Sequence, residues 1–240
     1  MASSKSLKGW LLWFAVAGLI VLLRLGWVLY DRSRPYSPKP PVERRVDLDL
    51  LVVVPKFRVK NFADVHALNG QRLWVKAGYA AEYFVYGPGK TPAAEGMLFE
   101  PLQELMISDI VQRSSSPGSS DRDILAVFEA QGQRFATVIG RCEAGTDSYQ
   151  WYLDDLFFGR DPREIYDHWQ PDVWEKIRSH QLERQMTMAQ VMLSLGVGTL
   201  ITTEAGGLQL YQFSRKPGGL PGKTRVRFAE GRVKEFQVVP

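Results

Sequence analysis

The chain has 240 residues, of which 45% are hydrophobic, 12% aromatic and 23% charged, and this composition excludes wholesale disorder. The formal net charge of +4 is modest and its signs are interspersed beyond the first 45 residues, so no nucleic-acid partner is expected. The single cysteine, Cys142, excludes an internal disulfide and a Cys-rich zinc site, and a buried thiol in a strand is expected.

A long apolar segment at 9–30 follows a short tail at 1–8, which is predicted to be cytoplasmic. The segment has about the 20 residues that cross a bilayer, so it predicts a single transmembrane helix and contact with membrane lipid through residues 9–30. A cleaved signal peptide would begin in the same way, but no small-residue cleavage site follows the apolar core. Aromatic rings that suit the headgroup region lie near both ends of the segment: Trp10, Trp13, Trp27 and Tyr30.

A Pro-rich and charged stretch at 31–45 predicts a stiff, extended linker. Its basic residues favour a cytoplasmic location for the rest of the chain, whereas a short basic tail before an apolar core is also typical of exported anchors. We expect a single-pass protein of the inner (cytoplasmic) membrane whose soluble part lies on the extracytoplasmic side, in the cell envelope.

Short β-type patterns fill the next hundred residues, 46–145, starting with the β-branched run at 48–59. Two strands are predicted to join at Gln131-Gly132, a turn is predicted at Glu100-Pro101, and a loop at 114–121. Five or six short strands at this spacing predict a small, SH3-like β-barrel. The fold class is therefore α+β, with the transmembrane helix first, this barrel second and a smaller αβ domain last.

A helical bridge is predicted at 146–172, before the last domain at 173–240. Pro162 and Pro171 each stand where the first turn of a helix can accept proline, and Asp161 is a suitable N-cap. Further on, Thr187 is predicted to cap a helix that Gly196 ends.

Catalytic signatures are weak along the whole chain. The segments at 86–91 and 221–224 contain Gly-Lys-Thr but lack the first glycine of a phosphate-binding loop, so both are predicted to be turns. The acidic group at 154–167 matches no metal-binding spacing, and capping accounts for part of it. We therefore expect no catalytic residue, no metal, no cofactor and no enzymatic activity.

Aromatic residues are densest between 151 and 174, where most of them are expected to form core. The functional alternative is a surface that binds a protein partner, because Trp and Tyr are enriched in such surfaces. The residues predicted for this surface are Trp151, Tyr152, Phe157, Phe158, Trp169 and Tyr211.

The C-terminal quarter carries three motifs in order: "QMTMAQVMLSLGVG", "LQLYQF" and "TRVRFAEGRVKEFQVV". Together they resemble the SmpA/OmlA (BamE-like) domain family. The residues that match that family's pattern are Met186, Thr187, Gln190, Val191, Leu195, Gly196, Tyr211, Val226, Phe228, Gly231 and Val233. The resemblance implies two helices on a three-stranded antiparallel sheet, and a non-enzymatic scaffold in the cell envelope.

The predicted function is that of a membrane-anchored scaffold or accessory subunit of a membrane protein complex, acting through contacts with a protein partner that the sequence does not identify. Two alternatives stay open. One is an envelope enzyme that uses carboxylates of the segment 154–167, among them Asp154, Asp155 and Asp161, as acid and base, and the other is a module that binds a small ligand or glycan.

Overall fold

The computed structural model describes residues 5–33, 48–87, 96–116, 118–146 and 148–239. The chain divides into two units, 1–46 and 47–240. Most of the predicted linker, residues 34–45, lies outside the described residues, as do residues 88–91 of the first Gly-Lys-Thr segment.

The described part of the first unit is one helix, α1 (Lys5–Ser33). Its described side chains are exposed, among them Trp13 at 78% and Leu22 at 67%. Within the described residues, no helix combines the length and apolarity that crossing a membrane requires, so the prediction of a single-pass transmembrane helix at 9–30 is wrong. That prediction gave too little weight to Arg24 inside the apolar run and to the charged residues Asp31 and Arg32 that follow it in the same helix.

The second unit contains two antiparallel sheets and five short helices within its described residues. The first sheet has eight strands: β1 (Arg72–Val75), β2 (Glu82–Val85), β3 (Met97–Leu98), β4 (Glu104–Ser114), β5 (Arg122–Ala130), β6 (Gln133–Cys142), β7 (Tyr149–Trp151) and β8 (Phe157–Phe158). Their order is β3-β2-β6-β5-β4-β1-β8, and β7 also pairs with β6. Strand β5 lies at the centre of the sheet and is almost completely buried, as its apolar sequence favours.

The prediction of a small SH3-like barrel of five or six strands is wrong. In the described part of the chain, the terminal strands β3 and β8 do not pair with each other, so the sheet stays open. Two of its strands come from the segment that we predicted to be a helical bridge. The pairing of Trp74 with Phe158, and of Val75 with Phe157, draws that segment into the sheet.

The turn predicted at Gln131-Gly132 is confirmed, since Ala130 and Gln133 pair directly across it. The β-branched run at 48–59 is not a strand of either sheet. It forms a 3₁₀ turn (Leu48–Leu51) and then an irregular segment that contains Pro55, which has no N–H to donate to a sheet. The turn is fixed to the body of the unit by the Oδ1 of Asp49, which accepts a hydrogen bond from the Nε1 of Trp169 (2.6 Å).

The five helices of the second unit are α2 (Phe62–His66), α3 (Leu153–Leu156), α4 (Pro162–Ile165), α5 (Pro171–Arg178) and α6 (Met188–Leu195). The predicted helix starts at Pro162 and Pro171 are confirmed, and the carboxylate of Asp161 caps α4. The hydroxyl of Thr187 accepts from the N–H of Gln190, whose side chain in turn accepts from the N–H of Thr187. This reciprocal cap confirms the predicted start of α6.

The second sheet has four strands: β9 (Thr199–Thr203), β10 (Gln209–Arg215), β11 (Pro221–Ala229) and β12 (Arg232–Val239), in the order β12-β11-β10-β9. The predicted BamE-like layout of two helices on three strands is therefore wrong, because the β-branched segment after Gly198 adds β9. The segment at 221–224, predicted as a turn, is instead the start of β11, where Thr224 pairs with Phe213 and Val238.

Two main hydrophobic cores fill the second unit. The first core lies against the eight-stranded sheet and includes Phe99, Phe128 and Phe157. The second core lies between the helices and the four-stranded sheet, and it includes Trp169, Trp174, Val191, Phe213 and Phe228. Strand β8 separates the two cores, since Phe157 belongs to the first and its neighbour Phe158 to the second.

The turn between β11 and β12 offers a test of the local structure. Glu230 and Gly231 both have positive φ, +51° and +76°, as the central residues of a type I′ turn do. Asparagine tolerates this conformation better than glutamate, so Glu230→Asn should raise the free energy of unfolding by about 0.5–1 kcal/mol. Urea denaturation measures the gain, and Glu143→Asn, at an exposed site without positive φ, should give none. Equal effects of the two substitutions would contradict the turn assignment.

Candidate functional site

The six residues predicted to bind a partner do not form one surface. Phe157, Phe158 and Trp169 are buried, with exposed fractions of 1%, 2% and 7%, and they lie in two different cores. The half-buried members of the set are Trp151, Tyr152 and Tyr211. A surface made of all six residues is therefore absent from the described part of the chain.

The half-buried aromatic residues also have internal packing partners. The rings of Trp151 and Tyr149 are stacked, with centroids 5.4 Å apart and planes 4° apart. Tyr211 makes an edge-to-face contact with Phe228, at 5.6 Å between centroids. Packing inside the unit therefore accounts for these two side chains, and they contribute little free apolar surface.

The carboxylates considered for acid–base chemistry hold backbone groups instead of facing one another. Asp154 accepts a hydrogen bond from the N–H of Phe57 (2.8 Å), and Asp161 accepts from the N–H of Arg163 (2.8 Å). Across the described ranges, no group of three or more His, Cys, Asp or Glu side chains is placed to hold a metal ion. The roles visible for these two carboxylates are structural.

A groove lies where the turn between β3 and β4 faces helices α4 and α5. It consists of two adjoining cavities of about 300 and 120 Å³, which share Leu102, Arg163 and Trp174 in their walls. The remaining lining residues are Trp74, Glu100, Pro101, Gln103, Glu104, Asp161, Pro162, Ile177, Arg178 and His180. We refer to this feature as the junction groove, because one wall belongs to the eight-stranded sheet and the other to the helical layer.

The junction groove has an apolar floor and a charged rim. Leu102 and Trp174 pack into the second core and form part of the floor. Arg163 and Arg178 are exposed on the helical wall, and neither forms an ion pair with any residue that the structure describes. On the opposite wall, Glu104 pairs with Arg72 (3.2 Å). The helical wall therefore has two cations available for an acidic group.

Two residues of the groove have a backbone conformation that side chains disfavour. Leu102 has a φ of +60° and His180 a φ of +54°, although neither is glycine. Such conformations cost about 1–3 kcal/mol each and persist where the surrounding structure enforces them, often at functional sites. Here the N–H of Leu102 donates to the carbonyl of Val75 (2.8 Å), and the carbonyl of His180 accepts from the N–H of Gly218 (2.9 Å).

Hydrogen bonds and ring contacts beside the groove join its two walls. The Nδ1 of His180 donates to the carbonyl of Ser194 (2.7 Å), and its Nε2 lies 3.5 Å from the hydroxyl of Tyr79. The guanidinium of Arg215 lies 4.3 Å from the centroid of the Tyr79 ring. Burial raises the pKa of Tyr79, and the charge of Glu100 raises it further, so this hydroxyl stays protonated at neutral pH. These contacts fix the position of one wall of the groove relative to the other.

A larger cavity of about 470 Å³ lies at one end of the eight-stranded sheet. Its walls are mostly polar turns next to residues 117 and 147, which are outside the described residues. Cys142 is in this wall and is only half-buried, so the expectation of a buried thiol is wrong; its Sγ lies 3.8 Å from the carbonyls of Glu143 and Thr146.

Comparison of the chain with protein-family models, with curated proteins and with solved structures gives no match. The resemblance to the SmpA/OmlA family therefore rests on the quoted motifs alone. The junction groove was not predicted from the sequence. Its two free cations, Arg163 and Arg178, lie 15 positions apart, and its acidic wall lies a further 60 positions away, so no local motif connects them.

Proposed function

We propose that this protein is a non-enzymatic scaffold or accessory subunit of a membrane-associated complex, and that it binds a protein partner in the junction groove. The observation that carries the proposal is the pair of exposed arginines, Arg163 and Arg178, above a floor that contains Trp174 and Leu102. Arginine is among the residues most often responsible for affinity at protein interfaces, whereas Trp174 is buried and contributes to the floor of the groove.

The dimensions of the groove admit a side chain or a short peptide segment as the occupant. The larger part of the groove has about 300 Å³, at the lower end of the range of about 300–1,000 Å³ that is typical of sites for whole small molecules. A segment that places an apolar side chain on the floor and a carboxylate beside Arg163 or Arg178 would satisfy both features. Because two walls of different elements form the groove, the partner would contact both parts of the unit.

The exposed apolar surface of α1 supports the membrane part of the proposal. Large apolar side chains such as Trp13, Phe14 and Trp27 are 66–78% exposed, and covering them with lipid or protein is favourable by roughly 25 cal/mol per Å². We propose that residues 9–30 contact membrane lipid.

Charge reversal in the groove tests the proposal. The tagged full-length protein is purified from its native membranes in mild detergent, and proteins that elute at constant ratio are quantified by mass spectrometry. Arg163→Glu/Arg178→Glu should lower the partner-to-bait ratio by about tenfold or more, because like charges then face each other at the contact. Both side chains are exposed, so the fold should be retained.

The matched control is Arg58→Glu/Arg184→Glu. It changes the net charge by the same amount, at two exposed arginines that do not line the groove. This variant should retain the partner at the ratio of the unmodified chain. An equal loss in both variants, or the absence of any stoichiometric partner, would contradict the proposed function.

A further inference from the structure

Strand β9 is an edge of the four-stranded sheet that carries no charged residue and no proline. Within the described residues, it pairs with β10 on one side only. All five of its residues are exposed, including Leu200 at 46% and Ile201 at 47%. A β-bulge leaves Ile201 without an opposite residue on β10, so its side chain has no cross-strand neighbour within the sheet.

The opposite edge of the same sheet serves as an internal comparison. Strand β12 carries Arg232, Lys234 and Glu235, and charges of this kind are a common device against edge-to-edge pairing. The sequence of β9, Thr-Leu-Ile-Thr-Thr, contains no charge, no proline and no glycine, and every residue in it except Leu200 is β-branched. One edge of the sheet is therefore protected by charges, whereas on β9 the bulge at Ile201 interrupts a neutral, β-branched sequence that favours pairing with a further strand.

We infer that β9 pairs with β9 of a second copy of this chain, in antiparallel orientation, to form a homodimer. A two-fold symmetric contact requires a surface that is complementary to itself. When β9 is reversed about Ile201, Thr199 faces Thr203 and Leu200 faces Thr202 of the other copy. All pairs are neutral, so no like charges oppose one another, and the two aliphatic residues of each copy lie at the centre.

The register places Ile201 on the symmetry axis, opposite Ile201 of the other copy. Directly opposite residues of antiparallel strands have Cα atoms about 4.5–5.5 Å apart, which is within the range that a disulfide spans. The two copies of Leu200 are offset by two residues along the strands, which places their Cα atoms roughly 8 Å apart, beyond that range. The dimer would have a continuous sheet of eight strands, and the junction groove takes no part in the pairing.

Cysteine cross-linking of the full-length protein in mild detergent tests this register. In a Cys142→Ser background, Ile201→Cys should give a covalent dimer on a non-reducing gel after mild oxidation. Leu200→Cys, and Val238→Cys on the opposite edge, should give about tenfold less dimer, because their separations do not suit a disulfide. A double variant, Leu200→Cys/Thr202→Cys, should restore cross-linking, because these residues face each other in the proposed register.

Two results would overturn the inference. Cross-linking of equal yield at Ile201, Leu200 and Val238 would show random encounter, for example through the apolar helix α1. No dimer from Ile201→Cys would mean that β9 does not pair with itself, and would leave this edge for a strand of a different protein. The Arg163→Glu/Arg178→Glu substitutions can be combined with Ile201→Cys. If this combined variant still forms the covalent dimer but loses the partner, both proposals are supported independently.

Discussion

Replacing Gly196 with alanine should lower the free energy of unfolding by roughly 3–4 kcal/mol. Gly196 ends α6 with φ +84° and ψ −167°, a conformation available essentially only to glycine. A Cβ atom at this position would also overlap the carbonyl oxygen of Gly78, which lies between β1 and β2 of the eight-stranded sheet. The substitution thus combines backbone strain with a steric conflict between the two parts of the unit.

A second glycine separates these two contributions. Gly206 has nearly the same φ, +80°, but a Cβ atom there would meet no atom within 4 Å. Gly206→Ala should therefore lower the free energy of unfolding only through backbone strain, by about 1–2 kcal/mol. Urea denaturation of the full-length protein, compared for both variants, measures the difference. Equal losses would contradict the close approach of Gly196 to Gly78.

Truncation of Phe99 to alanine should destabilise the unit by about 3–5 kcal/mol. The Phe99 side chain is completely buried. Its ring contacts Tyr83, Phe128 and Phe157, with centroids 4.5, 5.6 and 6.1 Å away. Removing the ring leaves a cavity among three aromatic rings that belong to three different strands, β2, β5 and β8, so the cavity cannot close without movement of the sheet.

The control for Phe99 lies two residues away. Met97 is in strand β3 and is 39% exposed, so Met97→Ala should cost less than about 1 kcal/mol. Thermal or urea unfolding, followed by tryptophan fluorescence, compares the two variants. A loss below about 1.5 kcal/mol for Phe99→Ala would contradict its central position in the first core.

Local features of the fold could be predicted because their causes are local. Thr187 and Gln190 form a cap through side chains three residues apart, and Asp161 caps the helix that Pro162 begins. The turn at Gln131-Gly132 depends on two residues between strands of suitable pattern. In each case the residues that determine the structure are neighbours in the chain.

Membership of the sheets could not be predicted in the same way. Phe157 and Phe158 were predicted to be part of a helical bridge, but they pair with the edge of β1 and form strand β8. The β-branched run at 48–59 has a strong strand pattern, yet Pro55 and the hydrogen bond between Asp49 and Trp169 hold it outside the sheets. Pairing over 80 or more residues overrides local preference in both places.

The candidate site was missed for a related reason. The density of aromatic residues at 151–174 predicted mostly core, with a partner-binding surface as the alternative, and Phe157, Phe158 and Trp169 of the proposed surface are buried. The cations of the junction groove are ordinary exposed arginines on short helices, and only the tertiary structure places them opposite the turn at Glu100.

The junction groove also has a structural basis for rigidity. The close approach of Gly196 to Gly78 and the contacts of His180 with Ser194 and Tyr79 connect its two walls. A binding site that is already ordered loses less conformational entropy when its partner binds. Gly196→Ala should therefore weaken partner binding as well as stability, even though Gly196 does not line the groove.

The central claim, that the junction groove binds a protein partner, is tested most directly by photo-cross-linking in the native cell. A photoreactive amino acid replaces Gln103, which lines the groove, or Gln133, an exposed residue of the hairpin β5–β6 that does not line it. The proposal predicts one discrete cross-linked species from position 103, lost in the Arg163→Glu/Arg178→Glu background, and none from position 133. The same species from both positions, or none from position 103, would contradict it.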